Sequence, residues 1–195
     1  MTGNPGRSRL GDIPYEQWDL VALADIAPGQ TPPDLSVVAF FAHHPELASK
    51  WLPFNRFINS KACELDRRTR EIVILRVAIR KRSRYEWAQH IKAARAAGIT
   101  DDEIHAIGAS TATGLAGLLV KAVDELTDDS TLHDETYADL TAHFSERQLV
   151  SLVFLVGCYS LLSVAFGAFR MELDPGLDPE DFGTYVNGDT NQKGN

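Results

Sequence analysis

The chain has 195 residues, 44% of them hydrophobic and 24% charged, with two cysteines and a formal net charge of −8. That length fits one domain with a core that needs no staples. Cys63 and Cys158 stand far apart and no Cys-x-x-Cys pair exists, which excludes a disulfide framework, an ordinary thiol–disulfide exchanger and a Cys/His zinc finger. The acidic balance opposes nucleic acid as a partner, because that binding draws its affinity from Lys and Arg.

Residues 1–14 carry Gly, Pro and Arg without periodicity and read as a flexible arm that lacks the pattern of a signal peptide. Residues 15–182 read as a single all-α domain. Pro32, Pro33 and Asp34 open a segment in which Leu35, Val38, Ala39 and Ala42 recur at helical spacing, until His43-His44-Pro45 interrupts it. Pro45 suits the first turn of a helix over 46–59, with Leu47, Trp51, Phe54 and Ile58 on one side. Asp66 caps a helix that runs to about residue 80, with Ile72, Leu75 and Ile79 as its apolar stripe. A further helix over 84–97 stops at Gly98. Thr100 and Glu103 form a capping box for a helix to about residue 112, and a short one follows over 114–125.

Ser145 and Gln148 form a second capping box, at the head of a long apolar helix that closes near residue 172. Its stretch 149–169 raises the membrane question. Three serines, two glycines and only Arg147 and Arg170 as flanking cations make it the buried helix of a soluble bundle, with no membrane partner and a cytoplasmic location. No hairpin signal interrupts the helical spacing, so the fold class is all-α. Residues 183–195 are polar after Tyr185 and Val186 and read as a disordered tail. The basic run 76–84 reads as a solvated helix end, with an anion-steering patch as its functional option.

The densest chemistry lies between Ser83 and His90. Glu86 and His90 are four apart, so a helix sets them on one face, with Ser83 near them. Glu71 reaches that face if its helix packs antiparallel to the next one through the tight 81–84 connection. Glu86 would then orient His90 while a second carboxylate passes a proton, which is a general acid–base relay. The competing reading is a surface pair worth a few tenths of a kcal/mol. Two ligands without an H-E-x-x-H motif are too few for a metal. His44 ends a helix, or lines a pocket. Cys63 and Cys158 read as small core residues. Tyr159 and Trp87 are core aromatics with a pocket wall as their second role, since the Tyr159 hydroxyl needs a partner.

The run 65–78 (LDRRTREIVILRVA), then Tyr85-Glu86-Trp87-Ala88-Gln89-His90, then 93–104, resembles the carboxymuconolactone decarboxylase family, which includes the alkyl hydroperoxidase D proteins. The likeness extends over 35–175, including His44-Pro45-Glu46-Leu47 and 144–159, and its specific part is 71–103. It implies a helical bundle, a homo-oligomer (dimer, trimer or hexamer) and a site built around a helical pair. In the peroxidase branch a glutamate is followed twelve residues later by Cys-x-x-Cys, with a histidine four further on. Here Glu71 and His90 keep their positions while Ser83 and Glu86 stand at the two cysteines, so the thiol mechanism has no nucleophile.

What remains resembles the decarboxylase branch, which works without a cofactor. The resemblance implies His90, Glu86 and Glu71 as catalytic residues; Ser83, Trp87, Tyr159 and His44 are the candidate contacts to a small-molecule substrate. Arg76, Arg80 or Arg84 would hold a substrate carboxylate. The expected function is a lyase or isomerase acting on a small cyclic acid or lactone. The alternatives are a peroxidase-related oxidoreductase and a non-catalytic helical scaffold or ligand-binding oligomer.

Overall fold

The computed structural model describes residues 8–24, 26 and 36–188, and these contain α-helices and turns but no strand. In chain order the helices are α1 (Ser36–Ala42), α2 (Pro45–Ile58), α3 (Arg67–Arg80), α4 (Arg84–Ala96), α5 (Asp101–Gly108), α6 (Gly114–Asp128), α7 (Asp134–Thr141), α8 (Glu146–Phe169) and α9 (Phe182–Gly188). Residues 1–7, 25, 27–35 and 189–195 fall outside the described residues, and with them the expected opening at Pro32, Pro33 and Asp34.

The bundle is organised around α3, which touches α4, α5, α6, α8 and α9. Every residue from Thr69 to Ile79 is buried, the condition of a helix surrounded by other helices. Three of those side chains carry charge, so each needs partners inside the protein. Arg70 donates to the Leu65 and Ser60 carbonyls. Arg76 donates to both Asp124 carboxylate oxygens at 2.6 Å and to the carbonyls of Ile107 and Gly108. Glu71 is left to face α4.

Local signals set the helix ends. Asp66 accepts from the Thr69 amide at 2.9 Å, and both capping boxes, Thr100 with Glu103 and Ser145 with Gln148, are complete. Gly98, at φ +80, closes the turn after α4 in the left-handed region that glycine tolerates. Only residues 81–83 separate α3 from α4, with Arg82 at φ 54, so α4 folds back along α3.

Four expectations need correction. The helix opened by Thr100 ends at Gly108, short of residue 112. A helix over Asp134–Thr141 stands where none was expected; Glu125 anchors its start by accepting from Thr136 Oγ1 and the His133 amide. The tail expected to be disordered from 183 begins with α9. There Tyr185 is buried against the Trp87 ring and its hydroxyl meets His105 Nδ1 at 2.8 Å. Gly108 permits this, since a Cβ at that position would stand 2.8 Å from the Tyr185 ring. Finally, α8 is buried on one face only: Val150, Phe154, Leu161 and Val164 are more than half exposed. It is the one described helix long and apolar enough to cross a membrane, with half of its apolar window buried.

The described part of the N-terminal arm is also tied down. The Arg9 amide and guanidinium donate to the carbonyls of Phe169 and Ala168 at the end of α8.

Candidate active site

The α3–α4 pairing brings Glu71 and His90 together: Glu71 Oε2 lies 2.7 Å from His90 Nδ1. The other ring nitrogen, Nε2, faces Glu86 Oε2 at 3.5 Å. A carboxylate on Nδ1 assigns the proton of the neutral ring to that nitrogen, which leaves Nε2 bare as a base beside Glu86. The Tyr159 ring stands edge-on to the imidazole, with centroids 5.1 Å apart at 89°, and its hydroxyl donates to Asn59 Oδ1 at 3.0 Å. All three ionisable side chains are at least four-fifths buried.

Burial shapes their protonation. Glu86 is pushed up to about 7 because its charged form is desolvated, with the nearby His90 charge only partly opposing this. For His90, burial alone favours the neutral ring. The Glu71 hydrogen bond and the charges of Glu86 and Glu71 outweigh it, and the imidazole ends above its ordinary value. Tyr159 is held well above the phenol range, first by burial and then by the Glu86 charge, and stays protonated.

Glu86, His90 and Tyr159 open into a cleft of about 400 Å³. Trp51, Leu52 and Asn55 of α2 form one wall, Tyr85, Gln89 and Ala93 extend the α4 wall, and Leu162 and Phe166 continue the α8 wall. The Trp51 indole N–H is buried without a partner. No Lys or Arg lines the cleft among the described residues. At its rim Asp174, buried in the loop after α8, accepts from the Ser36 amide at 2.6 Å, from Tyr85 Oη at 3.0 Å and from Gln89 Nε2. A second cavity, of about 320 Å³, lies between residues 8–18 and the ends of α1 and α8. Asp12, His43 and Glu172 are among the residues that line it.

Several expected contacts serve the scaffold instead. Ser83 is the N-cap of α4 and accepts from the Glu86 amide at 3.4 Å, so it fixes where Glu86 starts without lining the cleft. Trp87 points to the opposite side of α4, where its indole donates to the Glu180 carbonyl at 2.9 Å. His44 is an exposed N-cap of α2, with Nδ1 accepting from the Leu47 amide at 3.3 Å. Arg76 is consumed by Asp124, and Arg80 by Asp124 and Asp128. The aromatic wall is Trp51, four residues from Asn55 on one helix face, a spacing that was legible but carried no acid or base to draw notice.

Cys158 is buried beside Asn55 and pushed up to about 11 by burial, so its sulfur is a thiol at neutral pH. No group of three His, Cys, Asp or Glu among the described residues is arranged to hold a metal ion.

Fold and site together define an all-α protein with a buried Glu–His–Glu cluster shared by two consecutive helices. Residues 45–128, which contain that helical pair whole, match the model of the carboxymuconolactone decarboxylase family. The chain's fold is shared with the crystal structure of an Agrobacterium tumefaciens protein of unknown function, provisionally titled an antioxidant defence protein, AhpD. The TM-score is 0.62 at 18% identity, over 69% of this chain and 94% of that one. No curated protein matches the sequence.

Proposed function

We propose that this chain is a cofactor-free acid–base enzyme that decarboxylates a small cyclic substrate or performs a related lyase or isomerase step on it. The observation that carries this reading is the imidazole of His90, clamped by Glu71 at 2.7 Å on one nitrogen and facing Glu86 on the other, at the wall of a cleft. Glu71 fixes the tautomer and balances the imidazolium. Nε2 and Glu86, the latter pushed up to about 7, together hold a proton that can be given or taken near neutral pH. In the decarboxylation the bond to the departing carbon dioxide breaks, its electron pair moves onto the ring as an enolate, and His90 protonates the carbon. In an isomerisation the same pair removes a proton from one carbon and returns it to another.

The lining narrows the substrate. Without a described Lys or Arg in the cleft, a second permanent anion would meet two carboxylates and a single imidazole, so a cyclic substrate carrying only the carboxylate it loses, or a lactone that isomerises, fits better than a dicarboxylate. The peroxidase alternative lacks support from sulfur, with Ser83 and Glu86 in place of a cysteine pair and Cys158 held as a thiol. The test is turnover of a panel of small enol-lactones and cyclic β-keto acids, followed by ultraviolet absorbance and carbon dioxide release. His90→Gln is expected to lower it by about 10²–10⁴-fold with the helical circular dichroism unchanged. Thiol-dependent peroxide consumption, or turnover that ignores His90, would sink the proposal. Binding without turnover would favour the ligand-binding alternative.

A further inference from the structure

Each of the chain's three tryptophans carries one N–H donor, and two of the three are spent. Trp18 Nε1 donates to the Ile13 carbonyl at 3.0 Å and Trp87 Nε1 to the Glu180 carbonyl at 2.9 Å. Trp51 differs: its N–H is buried and no described residue accepts from it. A buried indole ordinarily finds an acceptor, because a donor left dry forfeits the bond that water gave it. The Trp51 ring lines the cleft that holds Glu86 and His90, so an acceptor can arrive there as a ligand.

The other donors of that lining are committed. Tyr85 Oη donates to Asp174, and Gln89 Nε2 donates to Asp174 and to Tyr85 Oη. Tyr159 Oη donates to Asn59 Oδ1 at 3.0 Å. Asn55, one turn beyond Trp51, spends an amide hydrogen on the Cys158 sulfur at 3.6 Å, a weak acceptor. His90 and Glu86 handle the proton. Trp51 is thus a donor that a ligand oxygen can take without displacing any bond to a described residue.

The reaction needs such a donor. When carbon dioxide leaves a cyclic β-keto acid, the electron pair of the breaking C–C bond forms a C=C bond and the carbonyl π pair moves onto oxygen. His90 then protonates the carbon, and the oxygen recovers its double bond. In between, the oxygen carries a negative charge that no described Lys or Arg of the cleft can meet. The same charge develops when a proton is removed beside a lactone carbonyl. An indole N–H stabilises it and keeps its own proton, since indole is a donor only. Phe41, Leu52, Leu162 and Phe166 line the same cleft, and apolar surroundings strengthen an N–H···O bond. Trp51 belongs to the α2 wall and His90 to the α4 wall, so the oxygen and the carbon of one enolate can face different walls. The χ2 torsion of tryptophan is soft, which lets the indole turn its N–H to the oxygen. We infer that Trp51 binds the carbonyl oxygen of the substrate through its indole N–H and, on the acid–base reading above, holds that oxygen as it becomes an enolate.

The test is the indole region of the proton–nitrogen NMR spectrum of the full chain, where Trp18, Trp51 and Trp87 give one signal each. Cyclohexanone is the probe, a cyclic ketone with no carboxylate to lose, and methylenecyclohexane is its counterpart of like shape without an acceptor. The ketone should move the Trp51 signal downfield and leave the other two in place, and methylenecyclohexane should not. Trp51→Phe keeps an aromatic wall; it should weaken the ketone about tenfold and lower kcat about 10²-fold with the His90 titration unchanged. If that variant misfolds, Trp18→Phe and Trp87→Phe identify the Trp51 signal by elimination and the titration alone decides. A Trp51 signal that the ketone leaves unmoved overturns the proposal, as does a wild-type kcat in folded Trp51→Phe. Loss of turnover in His90→Gln beside either result leaves the acid–base reading standing. A shifted Trp51 signal without turnover of any panel compound supports the carbonyl site and sinks that reading.

Discussion

Glu71 and His90 lie 19 residues apart on different helices and meet at 2.7 Å. The three-residue link between α3 and α4 makes that meeting unavoidable once α3 is buried. Glu71 therefore acts through the histidine: it selects the ring tautomer and raises its basicity.

Replacing Glu71 by Gln should lower kcat by about 10²–10⁴-fold with little change in KM, because the imidazolium loses its counter-charge while the cleft walls stay in place. The His90 ring, followed by NMR, should titrate at lower pH than in the wild type. Glu71→Asp should restore part of both. An unchanged titration would mean that the contact does not tune the base.

Glu86 makes the stability of the protein depend on pH in a stated direction. Its folded value of about 7 lies above the ordinary 4.5, so the folded state keeps a proton that the unfolded chain has released. The contribution is fully present below 4.5 and is lost as pH rises through about 7, a difference of about 3 kcal/mol. His90, also raised, adds a loss of the same sign above its ordinary 6.5. Glu86→Gln should be more stable than wild type at pH 8 and should lose that advantage near pH 4.5. Urea titrations at the two pH values check it.

Ser163 is buried in α8 and its hydroxyl has no partner. Ser163→Ala removes an unpaired polar group and adds helix propensity, so it should stabilise the fold by about 1 kcal/mol, or roughly 2–4 °C in Tm. A lower Tm would point to a bound water or ligand at that hydroxyl.

Gly108→Ala would drive a methyl group into the Tyr185 ring, which stands 2.8 Å from the Cβ position. We expect a loss of about 1–3 kcal/mol. Trp87, which packs on Tyr185, should shift its fluorescence to the red as α9 is displaced. Unchanged emission would show that α9 is held mainly by Phe182 and the Trp87–Glu180 bond.

The helices were legible where local chemistry marks them. Asp66, Gly98, Thr100 and Ser145 each sit where capping physics puts them, and Glu71, Glu86 and His90 follow from helical spacing plus one tight turn. The misses share another cause. The α9 helix is seven residues long, too short for a periodic stripe, and Tyr185 is buried by Trp87 and Gly108, residues far earlier in the chain. Trp87 fills the core, the first of its two expected roles, and the cleft-wall role fails because neighbours on a helix, such as Glu86 and Trp87, point about 100° apart. Trp51 was seen only as one residue of an apolar stripe, since nothing within α2 says that α8 leaves a gap beside it.

Asp174 has a consequence for the order in which the molecule is made. One carboxylate joins the first residue of α1 to Tyr85 and Gln89 of α4. The rim of the cleft is thus closed by a residue synthesised after every helix that forms its walls. On the ribosome all of those walls can emerge before the carboxylate that ties α1 to α4 becomes available.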